Sequence, residues 1–254
     1  MTWEFINTGF NCGEFNMQYD IHLANKSEQG TAILRLYRWS PFCISLGANQ
    51  LEESINISKA KQNLVEIVKR PTGGRAILHS EELTYSVVYP SAQNFSPRQL
   101  YHEINSALKA GLINYNPVFQ EIELENLQPD FAGFYNQKLS ELCFAVSAKS
   151  ELKFKGKKLV GSAQRKMDKA ILQHGSILCG DYHTKIVDYL NYPVSEIENM
   201  RKEINAATID MKSILGEDVD YDKLAESVKL GMQQHFNISF KSLSEEFDSA
   251  VLMN

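Results

Sequence analysis

Short β-type runs interleaved with helical runs, in no regular alternation, constrain this chain more than any other feature. Trp3 to Thr8 reads as a strand, and Ala32 to Arg38, with Ile33, Leu34 and Leu36 among polar residues, reads as another. Cys43 to Gly47 and Val65 to Lys69 are shorter strands. Leu83 to Tyr89 is β-branched and aromatic, and Ile171 to Cys179 is a further run. Phe15 to Lys26 reads as a helix opened by the Asn11-Cys12-Gly13 break, and Ser58 to Gln62 as a short helix. Ser96-Pro97 caps a helix through Ile113. Its Ile104, Ala107, Leu108, Gly111 and Leu112 follow the i, i+3, i+4, i+7, i+8 spacing.

Glu125 to Glu141 is rich in Asn, Gln, Pro and Gly and reads as a long loop, a feature that often carries function. Glu151 to Lys155 and a strand beginning at Lys158 form a hairpin about Gly156. From about Tyr182 the pattern turns helical, with Leu224, Val228 and Met232 at helical spacing within Tyr221 to Phe236. This irregular order predicts an α+β fold, central mixed or antiparallel sheets flanked by helices. Residues 1–254 form a single domain in this reading, with a helical C-terminal part at about 182–254.

Composition narrows the class. With 254 residues, 43% hydrophobic and 22% charged, the chain can bury a full core and is neither disordered nor a disulfide miniprotein. A net charge of -5 argues against a general nucleic-acid binder. No apolar run approaches the roughly 20 residues of a membrane span. Met1 to Phe5 lacks a basic stretch leading into an apolar one, so the expectation is a cytoplasmic protein without a membrane partner. Cys12, Cys43, Cys143 and Cys179 form no CxxC pair, and the six histidines show no HExxH spacing, so no metal is expected.

Two segments carry chemistry. In Arg70-Pro71-Thr72-Gly73-Gly74-Arg75-Ala76-Ile77-Leu78-His79, paired glycines let backbone approach a ligand and two arginines supply fixed positive charge. Read alone, it is a tight hairpin with solvated arginines. In Lys158-Leu159-Val160-Gly161-Ser162-Ala163, a strand brings a cationic donor beside residues without bulk, which suits a ligand lying across it. Read alone, this is an exposed hairpin with a small-residue bulge. His79 either orients a substrate or bonds within its turn, and His174, in mid-strand, can line a pocket.

Taken together, the motifs resemble the lipoate-protein ligase / octanoyltransferase family of the biotin/lipoate protein ligase fold. Arg-x-x-Gly-Gly-(Gly/Arg)-Ala-x-x-His matches Arg70 through His79, and Lys-x-x-Gly-(Ser/Thr)-Ala matches Lys158, Gly161, Ser162 and Ala163. Leu172-Gln173-His174-Gly175-Ser176-Ile177-Leu178 matches a third family strand, and Phe15-Asn16-Met17 and Ile44-Ser45-Leu46-Gly47 also fit. The resemblance runs from about Trp3 to Ile238. Arg75 in place of a third glycine, and Cys143-Phe144 ahead of the lysine, resemble the cysteine-dependent octanoyltransferases of the family. The chain departs from the family at His79-Ser80, where His-Asp is usual, and in the residues after Cys143-Phe144.

The resemblance implies transfer of an octanoyl group from octanoyl-acyl carrier protein to a lysine of an apo lipoyl-domain protein. Such acceptors are glycine cleavage H protein or the acyltransferase subunit of a 2-oxoacid dehydrogenase. Cys143 would be the nucleophile and Lys158 would hold the acyl carbonyl oxygen. Arg70, Thr72, Gly73, Gly74, Arg75, Ala76, His79, Gly161, Ser162, Ala163, His174 and Gly175 would bind substrate. No cofactor is implied. One alternative is an ATP-dependent lipoate-protein ligase that needs ATP and Mg²⁺. Another is a lipoyl-binding or regulatory protein without turnover. Between residues 149 and 169, eight cationic side chains against Glu151 and Asp168 leave a net +6. Outward-facing Lys153, Lys155 and Lys157 would either dock an acidic partner or only keep a strand edge in solution.

Overall fold

A computed structural model describes residues 1–27, 30–92, 95–124 and 151–242. In chain order the strands are β1 (Thr2–Asn11), β2 (Thr31–Trp39), β3 (Cys43–Leu46), β4 (Glu66–Lys69), β5 (Ile77–His79) and β6 (Glu82–Pro90). They continue as β7 (Ile122–Leu124), β8 (Leu152–Phe154), β9 (Lys157–Lys166), β10 (Ala170–Leu178) and β11 (Phe240–Ser242). The helices are α1 (Gly13–Lys26), α2 (Ile57–Gln62), α3 (Pro97–Tyr115), α4 (Val194–Ala207), α5 (Met211–Leu215) and α6 (Tyr221–Phe236). A 3₁₀ helix spans Tyr182–Tyr189. No helix among the described residues is long and apolar enough to cross a membrane.

Among the described residues the strands form two sheets. The larger runs β11-β1-β2-β6-β10-β9-β8-β7, and the smaller runs β4-β3-β5. β1 is parallel to β11 and β2, while β2, β6, β10, β9, β8 and β7 pair antiparallel in succession. β3 is parallel to β4 and antiparallel to β5. The α+β reading with mixed sheets flanked by helices therefore holds.

All nine residues of β6 are buried, so both of its faces are covered. Leu83, Tyr85 and Val87 join Leu34 and Leu36 of β2 in packing against α3 and α6. Val88 joins Ile33, Leu172, Tyr19 and Leu23 in a smaller core under α1. Strand alternation then places Arg35 and Tyr37 of β2, Thr84 and Ser86 of β6, and His174 and Ser176 of β10 on the α1 face. That face carries most of the buried polar groups of the sheet. α3 starts where its sequence says it should: Ser96 accepts from Gln99 N, the Gln99 side chain returns to Ser96, and Pro97 opens the first turn.

The small sheet has its own core of Ile44, Leu46, Leu78, Val65, Ile186, Val187, Met200 and Ile204, drawn from the 3₁₀ helix and α4 as well. Met17, Tyr37, Trp39, Cys43 and Val68 form the cluster that spans the two sheets. The C-terminal part is helical from Tyr182 to Phe236, but it divides between the two cores rather than forming one layer. It also adds a strand that periodicity does not signal. β11 pairs with β1 at Trp3↔Phe240, where Phe240 packs on Trp3 and Phe5. Three residues are too few to display a period, and pairing decides the conformation.

Candidate active site

A cleft of about 450 Å³, open to solvent, lies between the α1 face of the large sheet and the small sheet. Its walls are Met17 from α1, Tyr37 and Trp39 from β2, Ile77 and His79 from β5, and Thr84 from β6. Glu151, Lys158 and Gly161 to Ala163 come from the β8–β9 region, His174 to Ser176 from β10, and Arg70 from the loop after β4.

Arg70 is buried, and its donors grip its own loop and Ser45 of β3. Nε donates to Gly73 O at 3.2 Å, and Nη2 donates to Gly73 O at 3.0 Å and Arg75 O at 2.7 Å. Nη1 donates to Ser45 O at 2.8 Å and to Ser45 Oγ at 3.1 Å. The guanidinium thus folds the glycine turn around itself. Gly74 has φ +99°, a region that favours glycine, and a Cβ on Gly47 would fall 1.9 Å from Gly74 O. The two backbones touch because Gly47 has no side chain there.

His79 stacks on Trp39 with ring centroids 4.0 Å apart. Its Nε2 lies 2.7 Å from Ser45 Oγ and its Nδ1 lies 2.8 Å from Glu82 Oε1. The Thr84 and Ser176 hydroxyls donate to the same Glu82 oxygen at 2.6 and 2.7 Å, and Trp39 Nε1 donates to Thr84 Oγ1 at 2.7 Å. Burial would raise the Glu82 carboxyl, but the His79 imidazole and these hydrogen bonds hold it below the usual carboxylate range. The Ser45-His79-Glu82 order has the connectivity of a nucleophile–base–acid triad. Ser45, however, is wholly buried, is bonded to Arg70 and does not line the cleft. The network instead braces the Arg70 loop and the Trp39 wall.

A second buried group centres on Asp20 of α1. Arg35 Nη1 and Ser86 Oγ donate to Asp20 Oδ1 at 2.7 and 2.8 Å, and Tyr37 OH donates to Oδ2 at 3.0 Å. His174 Nδ1 faces the same Oδ2 at 3.3 Å, and His174 Nε2 lies 2.6 Å from Thr72 Oγ1. Burial opposes the Asp20 charge, yet Arg35 and the His174 contact outweigh it and the carboxyl is held below its ordinary value. His174 is pushed down, chiefly by burial against the pull of Asp20, with Arg70 and His79 adding to the fall.

On β9, Lys158 Nζ lies 3.0 Å from Glu151 Oε2, and both side chains are almost wholly buried, at 2% and 4% exposure. Ser162 Oγ lies 2.6 Å from Tyr85 OH and donates to Asn105 Oδ1 at 3.3 Å, while Gln173 Nε2 donates to Tyr85 OH at 3.0 Å. Burial pushes the Tyr85 phenol up to about 12, so it stays protonated. Gly175 pairs with Ser162 across the strands. A Cβ there would meet Gly161 O at 2.3 Å and Tyr85 Cε1 at 2.8 Å, so only glycine keeps β9 and β10 this close.

Of the residues expected from sequence, Arg70, His79, Lys158, Gly161, Ser162, Ala163, His174 and Gly175 meet at the cleft. Thr72 is buried behind His174, Gly73 and Gly74 are exposed, Arg75 is half-buried, and Ala76 packs in the small-sheet core. Cys143 and the Glu125 to Glu141 loop fall in 125–150, outside the described residues. The basic hairpin divides: Lys158 turns inward, Lys155 pairs with Glu121 at 3.3 Å, and Lys157 donates to Asn205 O at 3.3 Å. Cys43 and Cys179 are buried and Cys12 half-buried. Burial raises the Cys43 thiol well above its ordinary value and Cys179 to about 12.

Sequence reasoning passed over Asp20, Arg35, Tyr37, Trp39, Thr84, Glu82 and Ser176. The signal was available for some of them: Glu82, Thr84 and Ser86 alternate with Leu83, Tyr85 and Val87. Alternation in an edge or open sheet means a solvated face; here the polar face floors a cleft.

The model of the lipoyl protein ligase A/B catalytic domain matches residues 13–233, most of the chain. The chain belongs to this family. Octanoyltransferase LipM of Staphylococcus aureus is 32% identical over 249 residues, covering 95% of this chain and 90% of that protein. Octanoyltransferase LipM of Bacillus subtilis is 29% identical over 254 residues, covering 96% and 91%. Among solved structures, a lipoate-protein ligase A bound with ATP superposes with a TM-score of 0.73 at 20% identity, covering 99% of this chain and 92% of that one. A bipartite lipoate protein ligase of Thermoplasma acidophilum gives 0.74 at 19% identity, covering 99% and 90%. At such identities the two structures speak for the shared ligase fold.

Proposed function

We propose that this lipoyl ligase family member is a cytoplasmic octanoyltransferase. It moves an octanoyl group from octanoyl-acyl carrier protein to a lysine of an apo lipoyl-domain protein, such as glycine cleavage H protein or the acyltransferase subunit of a 2-oxoacid dehydrogenase. The observation that carries the reading is a buried lysine, Lys158, on the wall of a cleft that Met17, Trp39 and Ile77 also line. The resemblance to proteins named octanoyltransferase over nearly the whole chain supports the same substrate.

The Cys143 thiolate attacks the thioester carbonyl, and the Lys158 ammonium holds the oxygen as it becomes an oxyanion. The intermediate collapses by expelling the carrier thiolate, which leaves as a thiol after taking a proton, and an acyl-Cys143 thioester remains. The acceptor lysine amine then attacks this carbonyl, loses a proton and returns the Cys143 thiolate as an amide forms. Activation comes with the thioester, so no ATP, metal or other cofactor enters. The octanoyl tail lies along Met17, Trp39 and Ile77. At about 0.8 kcal/mol per buried CH₂, its six methylenes gain roughly 5 kcal/mol. Cys43 and Cys179 are unsuited to the nucleophile's part, being buried with thiols raised far above neutral pH.

The test is the intact mass of the protein after mixing with octanoyl-acyl carrier protein, without ATP, beside the Cys143→Ser variant. A hydroxylamine-sensitive octanoyl adduct on the native protein alone is expected. Absence of that adduct overturns the thioester route. An adenylate formed only with ATP and free acid would assign the chain to the ligases instead.

A further inference from the structure

The buried carboxylate of Asp20 does not line the cleft, yet it touches four groups on the cleft's floor or behind it. An ionised carboxylate only accepts hydrogen bonds. Arg35, Ser86 and Tyr37 all donate to Asp20, and His174 Nδ1 faces it. His174 therefore carries a proton on Nδ1. As a neutral imidazole it has no second proton, so Nε2 presents a lone pair to Thr72 Oγ1 at 2.6 Å. The Thr72 hydroxyl must donate.

Thr72 precedes the exposed Gly73-Gly74 turn, and its own carbonyl accepts from Ala48 N at 2.9 Å. The turn is thus held from two sides: Arg70 grips the Gly73 and Arg75 carbonyls, and His174 grips Thr72.

We propose that Asp20 is a positioning residue for the cleft: it sets the His174 tautomer, and His174 in that tautomer anchors Thr72 and the glycine turn after it. The hydrogen-bond order Asp20–His174–Thr72 does for a loop what an orienting carboxylate does for a catalytic histidine. The placement rests on the hydrogen-bond geometry and on the burial that keeps His174 neutral, while its effect on turnover rests on the octanoyltransferase reading.

Asp20→Asn tests the placement sharply because Arg35 dictates how the new amide lies. Arg35 can only donate, so the amide oxygen must face it, and the amide nitrogen must face Tyr37 and His174. The nitrogen donates to His174 Nδ1, which drives the ring proton to Nε2 and makes Thr72 the acceptor.

Nitrogen-15 NMR of imidazole-labelled full-length protein reads both states. The expected result is an Nδ1-protonated neutral His174 in the native chain and an Nε2-protonated ring in Asp20→Asn. Thr72→Val and Thr72→Ser supply a readout that does not disturb the buried ion pair. Thr72→Val removes the donor at constant shape, and transfer should fall roughly tenfold or more, in kcat rather than in KM for the acyl donor. Thr72→Ser restores the hydroxyl and should recover most of the loss. An Nε2-protonated His174 in the native chain overturns the proposal. So does Thr72→Val turning over at the native rate. If native protein transfers no octanoyl group at all, the function reading fails while the tautomer result still decides the placement.

Discussion

Replacing Lys158 by methionine separates the chemical from the structural part of that residue. Lys158 and Glu151 are 3.0 Å apart with 2% and 4% of their side chains exposed. Methionine keeps the stem and its packing but leaves the Glu151 carboxylate buried without this counter-ion. Breaking one side of a buried pair costs roughly 3–5 kcal/mol. In a chain of this size each kcal/mol shifts the melting temperature by about 2–4 °C, so Lys158→Met should melt on the order of 10 °C lower. Octanoyl transfer should fall on the order of a hundredfold or more, the usual loss when one donor to an oxyanion is removed. Adding Glu151→Gln removes the stranded charge. The double variant should regain most of the melting temperature and none of the transfer. Calorimetry and a transfer assay on the same preparations read both quantities. If the double variant transfers octanoyl at near the native rate, Lys158 serves only to neutralise Glu151 and its place in the mechanism is wrong. An unchanged melting temperature in the single variant would refute the energetic argument.

Gly175→Ala places a methyl group 2.3 Å from Gly161 O, which is backbone and cannot swing aside, so β9 and β10 must part. Urea unfolding should show a loss of about 1–3 kcal/mol, and native stability in this variant would mean that the strand spacing is slack. Stability should also fall steadily as the solution is acidified. His174 and His183 are held below the ordinary imidazole value of 6.5, chiefly by burial, and Asp20 and Glu82 lie below ordinary carboxylate values. In each case the unfolded chain binds protons first, so stability is whole above 6.5 and is lost as pH drops through the folded values. Urea midpoints measured across that range should never rise on acidification; a rise below the imidazole value would contradict the assignment of His174 as neutral.

Local pattern carried much of this protein. The helical spacing of Ile104, Ala107, Leu108 and Leu112, with the Ser96-Pro97 cap, marks α3 to within two residues of its end. Helix period and capping chemistry are properties of consecutive residues, so sequence displays them. The glycines of residues 73–74, 161 and 175 stand out for a similar reason, since the absence of a side chain is visible wherever it occurs. Residues with no local oddity were invisible. Asp20 sits in an ordinary helix and Arg35 in an ordinary strand, and their 2.7 Å bond joins elements that only the sheet brings together.

The same holds for the polar stripe of β6. Glu82, Thr84 and Ser86 determine that one face of this strand is polar, and nothing local says whether water or protein covers it. The tertiary structure decides this by laying α1 and the small sheet over that face. Once water is excluded, every carboxylate and hydroxyl there must find a partner. Lys158 shows the same division. Its spacing to Gly161 is written in the chain, but its burial against Glu151 follows from how β8 and β9 pack, because the cost of taking a charge out of water is set by the whole fold around it.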